Sequence, residues 1–366
     1  MADTLGFNSL NPALLGFVPR TAMRIGGHVA FWNTTAHGTT DSDAELTWKD
    51  FGLFLPLTSR WRFGLGIQPT LRQDLHTIAT RTATFVDDSG SVTEPYEERL
   101  TWSGSTMDVR LDNAYRFSDR FALGVGAIYS ILHNERSSIL DFQSTDYRDV
   151  RFNEIGTFRG WSFSLGGYYA PLTRLSVGGF FRPRLQGSWT YELGKVNTDS
   201  TVKHNGLSKA PGEFALGLCY RLTSKIIGVA DMRMGMWEAG DYGISFQGTQ
   251  AAVPKDPLFL SVGIERQARR APVFSDLNLW GYRAGAFYRQ HYWTAASGEG
   301  VKDVGLALGF SIPVAQASGW LHTAAEFGQR GFDEKKLGAT EMFARFSFQL
   351  EVGETWFQRA KPRLPE

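Results

Sequence analysis

Apolar and polar residues alternate with a period of two along most of this chain. Leu57-Thr-Ser-Arg-Trp-Arg-Phe-Gly-Leu-Gly66 sets the type. A polar turn at Thr58 and Ser59 opens onto Trp61, Phe63, Leu65 and Ile67 on one face and Arg62, Gly64, Gly66 and Gln68 on the other. Side chains alternate between two faces in this way on a strand. The turn-and-strand pattern returns at Phe117-Ser-Asp-Arg-Phe121, Leu172-Thr-Arg-Leu175 and Leu222-Thr-Ser-Lys-Ile226. Copies lie roughly 50 to 60 residues apart, the length of two long strands and one long loop, which predicts a meander of hairpins. From Thr21 onward the pattern predicts fourteen strands, at about 21–33, 46–56, 60–75, 96–117, 120–133, 157–170, 174–191, 211–222, 225–237, 257–267, 277–292, 301–313, 318–330 and 338–352.

The faces sort by chemistry. Met107, Val109, Leu111, Tyr115 and Phe117 stand opposite Asp108, Arg110, Asp112 and Arg116. Val304, Leu306, Leu308, Phe310 and Ile312 stand opposite a face of Gly, Ala, Ser and Asp303. A wholly apolar face on so many strands suits lipid, where a charge at the midplane costs about 2–4 kcal/mol. Connections are short at one end (Thr58-Ser59, Ser118-Asp119, Leu172-Thr173, Thr223-Ser224, Ala315–Ser318). Long polar loops are expected at the other, around 76–95, 134–156, 192–210 and 238–256. That asymmetry is the periplasmic and exterior arrangement of outer-membrane barrels, and an even strand count closes such a barrel without edges. The expected fold is therefore an all-β, up-and-down antiparallel transmembrane barrel of about fourteen strands in a bacterial outer membrane. It would span residues 21–357, with an N-terminal plug at 1–20 and a periplasmic tail at 358–366.

Composition narrows the chemistry. Net charge is +1 with 20% charged residues, too balanced for a nucleic-acid binder. The single cysteine, Cys219, excludes an intrachain disulfide and a multi-cysteine metal site. No run of eighteen apolar residues forms a membrane helix, yet mean hydropathy of −0.23 coexists with 11 Trp and 27 Phe, a barrel's signature. Met1-Ala-Asp-Thr carries no basic n-region or apolar h-region, so an exported chain would be read here in mature or trimmed form. The seven histidines are scattered, with no metal-binding pair, nucleophile elbow or nucleotide loop, and neither enzyme activity nor a cofactor or metal is expected.

Asn11-Pro-Ala-Leu-Leu resembles the Asn-Pro-Ala element in the plug of the long-chain fatty-acid transporter family of outer-membrane proteins. Gly281–Arg289, Val304–Phe310 and Ala324–Gly331 look like that family's closing strands. Glu354-Thr-Trp-Phe-Gln-Arg359 looks like the ending of its Bacteroidota-type branch. The resemblance covers both ends of the chain and is weak through 80–270. It implies passive uptake of a hydrophobic molecule or lipid, held in an apolar lumen pocket and released sideways into the bilayer through a kinked strand. Pro69, which cannot donate to the ladder, is the candidate lateral gate; otherwise it marks a strand already clear of the membrane. Trp32, Phe54, Ile128, Leu132, Phe180, Phe287 and Phe343 are apolar on the lumen face, either as ligand-pocket lining or as packing against the N-terminal segment. Arg182 and Arg184 are candidates to pair with a ligand carboxylate; cross-strand ion pairs are the structural alternative. The rival function is a barrel of the same superfamily that docks protein partners through its loops or the Lys361-Pro-Arg-Leu-Pro tail within a larger envelope complex. A plain diffusion porin fits less well, because the inward aromatics oppose it.

Overall fold

The computed structural model describes residues 10–36, 38–87, 90–144, 147–195, 200–237, 255–268, 276–294, 299–314, 319–331 and 338–354. Its strands are β1 (Thr21–Ala36), β2 (Thr39–Pro56), β3 (Trp61–Asp87), β4 (Gly90–Ser118), β5 (Phe121–Phe142) and β6 (Val150–Leu172). They continue with β7 (Leu175–Arg182), β8 (Leu185–Lys195), β9 (Ser200–Ala210), β10 (Gly212–Arg221) and β11 (Ile226–Met236). The last five are β12 (Leu258–Arg266), β13 (Gly281–Thr294), β14 (Gly300–Val314), β15 (Gly319–Arg330) and β16 (Thr340–Glu354). All pair antiparallel in one sheet, which the β5–β6 pairing closes into a barrel.

The sixteen segments make fourteen staves. β7 and β8 are halves of one stave, both paired with β6 and parted at Pro183-Arg184. β9 and β10 are halves of the next, parted at Pro211. A proline withdraws one donor from the ladder and fixes φ, so it interrupts a strand without ending the stave. The first and last strands seal the barrel in register from Thr21↔Glu354 to Thr35↔Thr340.

Three of the expected long loops are mostly strand. Residues 76–87 and 90–95 continue β3 and β4, residues 134–142 and 150–156 continue β5 and β6, and 200–210 is β9. The 76–95 stretch is rich in Thr, and none of the three carries a wholly apolar face, because both faces meet water above the bilayer. β-Branched residues keep them paired, while the alternation that marks a lipid-facing strand disappears. One smaller boundary also shifts, since the strand expected from 277 begins at Gly281 after a 3-10 turn, whereas the one expected at 211–222 is β10. Of the loop expected at 238–256, residues 238–254 lie outside the described residues, as do the turn at 315–318, the first nine residues and the tail.

β3 and β4 have 27 and 29 residues, against about 9–11 needed to cross a bilayer. The upper parts of β3, β4, β5 and β6, together with β8 and β9, therefore rise beyond the membrane as a six-stranded blade. β9 pairs with β8. The β2–β3 ladder runs only from Pro56↔Arg62 to Phe51↔Ile67; above it β2 continues beside β1, and β3 beside β4.

The outer face of the membrane-spanning part is apolar, with Leu111, Leu123, Phe163, Leu218, Val262, Leu308 and Phe348 all exposed. Trp61, Phe117 and Tyr169 ring its turn end, and Tyr129 packs against the 63% exposed Trp161 about one bilayer width higher. Charges turn inward. This is the architecture of a bacterial outer-membrane barrel.

Candidate functional site

The turn end of the lumen is crossed by a 3-10 turn, Pro12–Phe17, capped by Asn11. Asn11 is fully buried: its Oδ1 accepts from Ala13 N at 3.0 Å, and its Nδ2 donates to Gly167 O at 3.0 Å. Pro12 at the first position fits a helix start. The turn docks onto Gly124 and Gly166, where a Cβ would overlap Pro12 and Asn11. Leu15 and Val18 pack with Ala22, Phe54 and Ala114 on one wall. Ala13 and Leu14 reach Tyr168, Cys219 and Ile227, so the segment bridges β3–β6 to β10 and β11. Arg62 Nε donates to Val18 O at 2.8 Å and Arg116 lies over the Phe17 ring.

Midway up, ion pairs link staves, some neighbouring and one from β7 across to β4. Arg182 Nη1 meets Asp108 Oδ2 at 2.7 Å, Nη2 donates to Ser130 Oγ at 2.8 Å, and Nε donates to Ser162 Oγ at 3.2 Å. Arg24 pairs with Asp50 at 3.1 Å and Arg283 with Glu265 at 3.1 Å. The cross-strand alternative therefore describes Arg182, whose guanidinium is committed to the protein. Arg184 is exposed beyond the break and away from this network.

Higher on the opposite wall lies an aromatic run. Trp32 is the register partner of Phe343 across β1 and β16. Phe343 and Phe287 rings lie 6.4 Å apart, over Gly328 and Gly305, and Phe287 is 6.4 Å from Phe259. Arg289, Arg330 and Arg345 sit 5.4 to 5.9 Å from these rings. Their charges are held by acids: Asp303 takes Arg330 at 3.0 Å, His291 at 2.9 Å and Arg289 at 3.6 Å, while Arg345 takes Glu326 at 3.1 Å. The run extends from β12 to β1, and Asp43 on β2 is the next residue in register after Trp32. One stave further on, the β2–β3 ladder is interrupted.

The sequence-predicted lining thus divides. Trp32, Phe287 and Phe343 come together, whereas Phe54 packs against the N-terminal turn and Leu132 joins Phe158, Ala210 and Trp237 under the blade. Ile128 and Phe180 are buried on the β5 and β7 walls, away from the run. Pro69 lies just above the last β2–β3 pair, next to a bulge at Thr70 in the β3–β4 register. There Arg72 spans the slit to Glu45 and Thr47. Phe259, Arg289, His291 and Asp303 were not among the candidate site residues of the sequence; only cross-strand register places them beside Phe287. In the blade, burial and the neighbouring Glu154 push the Tyr191 phenol up to about 12, so it stays neutral. Among the described residues no group of three His, Cys, Asp or Glu side chains is placed to hold a metal ion.

The BamG family model matches residues 1–362. Several solved barrels share the fold. A Pseudomonas aeruginosa homologue of FadL matches with a TM-score of 0.60 at 13% identity, over 94% of this chain and 92% of that one. The monoaromatic hydrocarbon channel CymD gives 0.60 at 12%, over 97% and 95%. The Ralstonia pickettii toluene transporter TbuX gives 0.57 at 14%, over 94% and 92%. At such identity the likeness is one of fold. No curated protein sequence matches closely enough to add to this.

Proposed function

Because this chain belongs to the BamG family and shares its barrel with hydrocarbon channels, we propose that it passes a hydrophobic molecule from lumen to bilayer. The molecule rests on the aromatic run Phe259–Phe287–Phe343–Trp32 and leaves sideways through the slit between β2 and β3. The observation that carries this reading is that the run ends one stave from a place where the wall has lost its ladder. Arg330 also pairs with Glu341 at 2.8 Å, so the three arginines that border the rings meet three carboxylates, and such a balanced rim suits an apolar cargo. The N-terminal turn acts as the plug, closing the axial route so that exit is lateral. Pro69 and the Thr70 bulge keep the slit from zipping shut, because neither extends a regular ladder.

A disulfide across the slit tests this. In a Cys219→Ser background, the Glu45→Cys/Arg72→Cys pair replaces two side chains that already meet. Oxidised cells should lose uptake of labelled oleate and toluene, and reductant should restore it. Uptake indifferent to the cross-link contradicts the slit as the exit.

One observation favours a second reading. The blade presents its β3 and β9 edges beyond the membrane, and exposed sheet edges accept a partner's strand. A docking role predicts that deleting the tip hairpin, residues 76–98, removes a stoichiometric protein partner from the native assembly while uptake persists. Transport alone predicts an assembly of unchanged mass.

A further inference from the structure

The wall has a second interruption, on the other side of the blade. β6 pairs with β8 down to Arg159↔Ser188 and with β7 only from Leu165↔Phe181 onward. Among the described residues, Gly160–Ser164 therefore have no register partner in the broken stave, which at this point carries Pro183 and Arg184. The interruption faces lipid: Trp161 and Phe163 point outward and are exposed here. Immediately below it, on the lipid side, lies an apolar hollow of about 550 Å³ bordered by Leu165, Gly179, Phe181, Phe214, Leu216 and Met236. Gly179 points outward, and the Leu216 side chain lies over it, in the place a Cβ would take. On the lumen side, Arg182 is the last residue of β7 before the break. From there it reaches Ser162 on β6, Ser130 on β5 and Asp108 on β4. Ser130 also donates to Asp108 at 2.6 Å, and all four side chains are at least nine-tenths buried. Where the backbone ladder is missing, a side-chain ladder holds the wall together.

We propose that this interruption is a second lateral opening, with an outer hollow that takes a hydrocarbon chain from the bilayer and a lumen side latched by Arg182 and Asp108. Ladder hydrogen bonds are many and spread along a strand, whereas this closure rests on one guanidinium and its three oxygen partners. Losing Asp108 removes the charged partner of a buried guanidinium, which favours its withdrawal and lets Gly160–Ser164 part from the stave between the β6–β7 and β6–β8 ladders, which stay paired. The hollow gives an entering chain apolar contact on the lipid side before the latch yields. This inference does not depend on the β2–β3 slit, and cross-linking that slit leaves it untouched.

The test uses a lumen-wall thiol. Ile128→Cys, in a Cys219→Ser background, places it on β5 opposite Ser162, fully buried in the latched barrel. The full-length protein in phosphatidylcholine vesicles is treated with pyrene-maleimide, which partitions into lipid, or with a charged, water-borne methanethiosulfonate. Adding Asp108→Asn should raise the pyrene-maleimide rate about tenfold or more, the shift that losing a hydrogen bond to a charged group gives an open–closed balance. The charged reagent should react no faster. Ser130→Ala, which removes a neutral partner, carries the same test should Asp108→Asn fail to fold, and the heat-modifiable mobility of the barrel reports folding in both. An unchanged pyrene-maleimide rate in the folded variants, or an equal rise for both reagents, overturns the proposal.

Discussion

At the scale of the residue, the lumen is governed by what each inward side chain can pair with. Asp303 is the clearest case: fully buried, it receives Arg330, His291 and Arg289. Asp303→Asn takes the paired carboxylate from Arg289 and leaves Arg330 with Glu341 alone, beside Phe287 and Phe343. A loss of about 3–5 kcal/mol is expected, read as a lower temperature for conversion of the folded to the unfolded band in detergent gels. Gly124→Val places a side chain where Pro12 lies and should cost about 1–3 kcal/mol by forcing the N-terminal turn off the wall. Limited proteolysis should then cut within residues 10–20, which the native barrel protects. The alternation of single residues was legible in the sequence: Asp108, Arg110 and Arg182 face inward and Leu111 and Phe181 outward, as the period-two pattern implies. Partnership was not. Arg182 read either as a ligand contact or as part of a cross-strand ion pair, because the sequence places Ser130, Ser162 and Asp108 on three other strands with nothing to show that they meet it.

At the scale of the element, strands were found and their ends were not. Fourteen staves follow from fourteen alternating stretches, and short turns fall at the expected end. The blade was hidden because alternation is a signal of one wet and one greasy face, and its strands are wet on both. Prolines 69, 183 and 211 all mark interruptions, yet only Pro69 attracted notice as a possible gate: Pro211 lay at the start of a predicted strand, and Pro183 lay inside the strand expected over 174–191. One consequence belongs to this scale. Removing the bulged Thr70 straightens β3 and lets the β2–β3 ladder climb past Phe51↔Ile67. Amide exchange at residues 41–50 should slow, and uptake of toluene should fall with it. Exchange that stays as fast as in the native chain would show that the bulge does not hold the slit apart.

At the scale of the whole molecule, the barrel joins a turn end crossed by the N-terminal 3-10 turn, a wall with two interruptions and a blade that stands clear of the membrane. The resemblance noted at Asn11-Pro-Ala and in the closing strands anticipated the shared fold, which solved channels bear out at 12–14% identity. It did not anticipate that the predicted pocket residues would separate into a plug contact, a blade base and an aromatic run. The central claim is that an apolar molecule occupies that run. Native mass spectrometry of the protein extracted in mild detergent, with the carried molecule identified after extraction, tests it most directly. One apolar molecule per barrel is expected for the native chain and none for a folded Phe287→Ala/Phe343→Ala variant. An empty native barrel, or the same adduct on both proteins, would contradict the account.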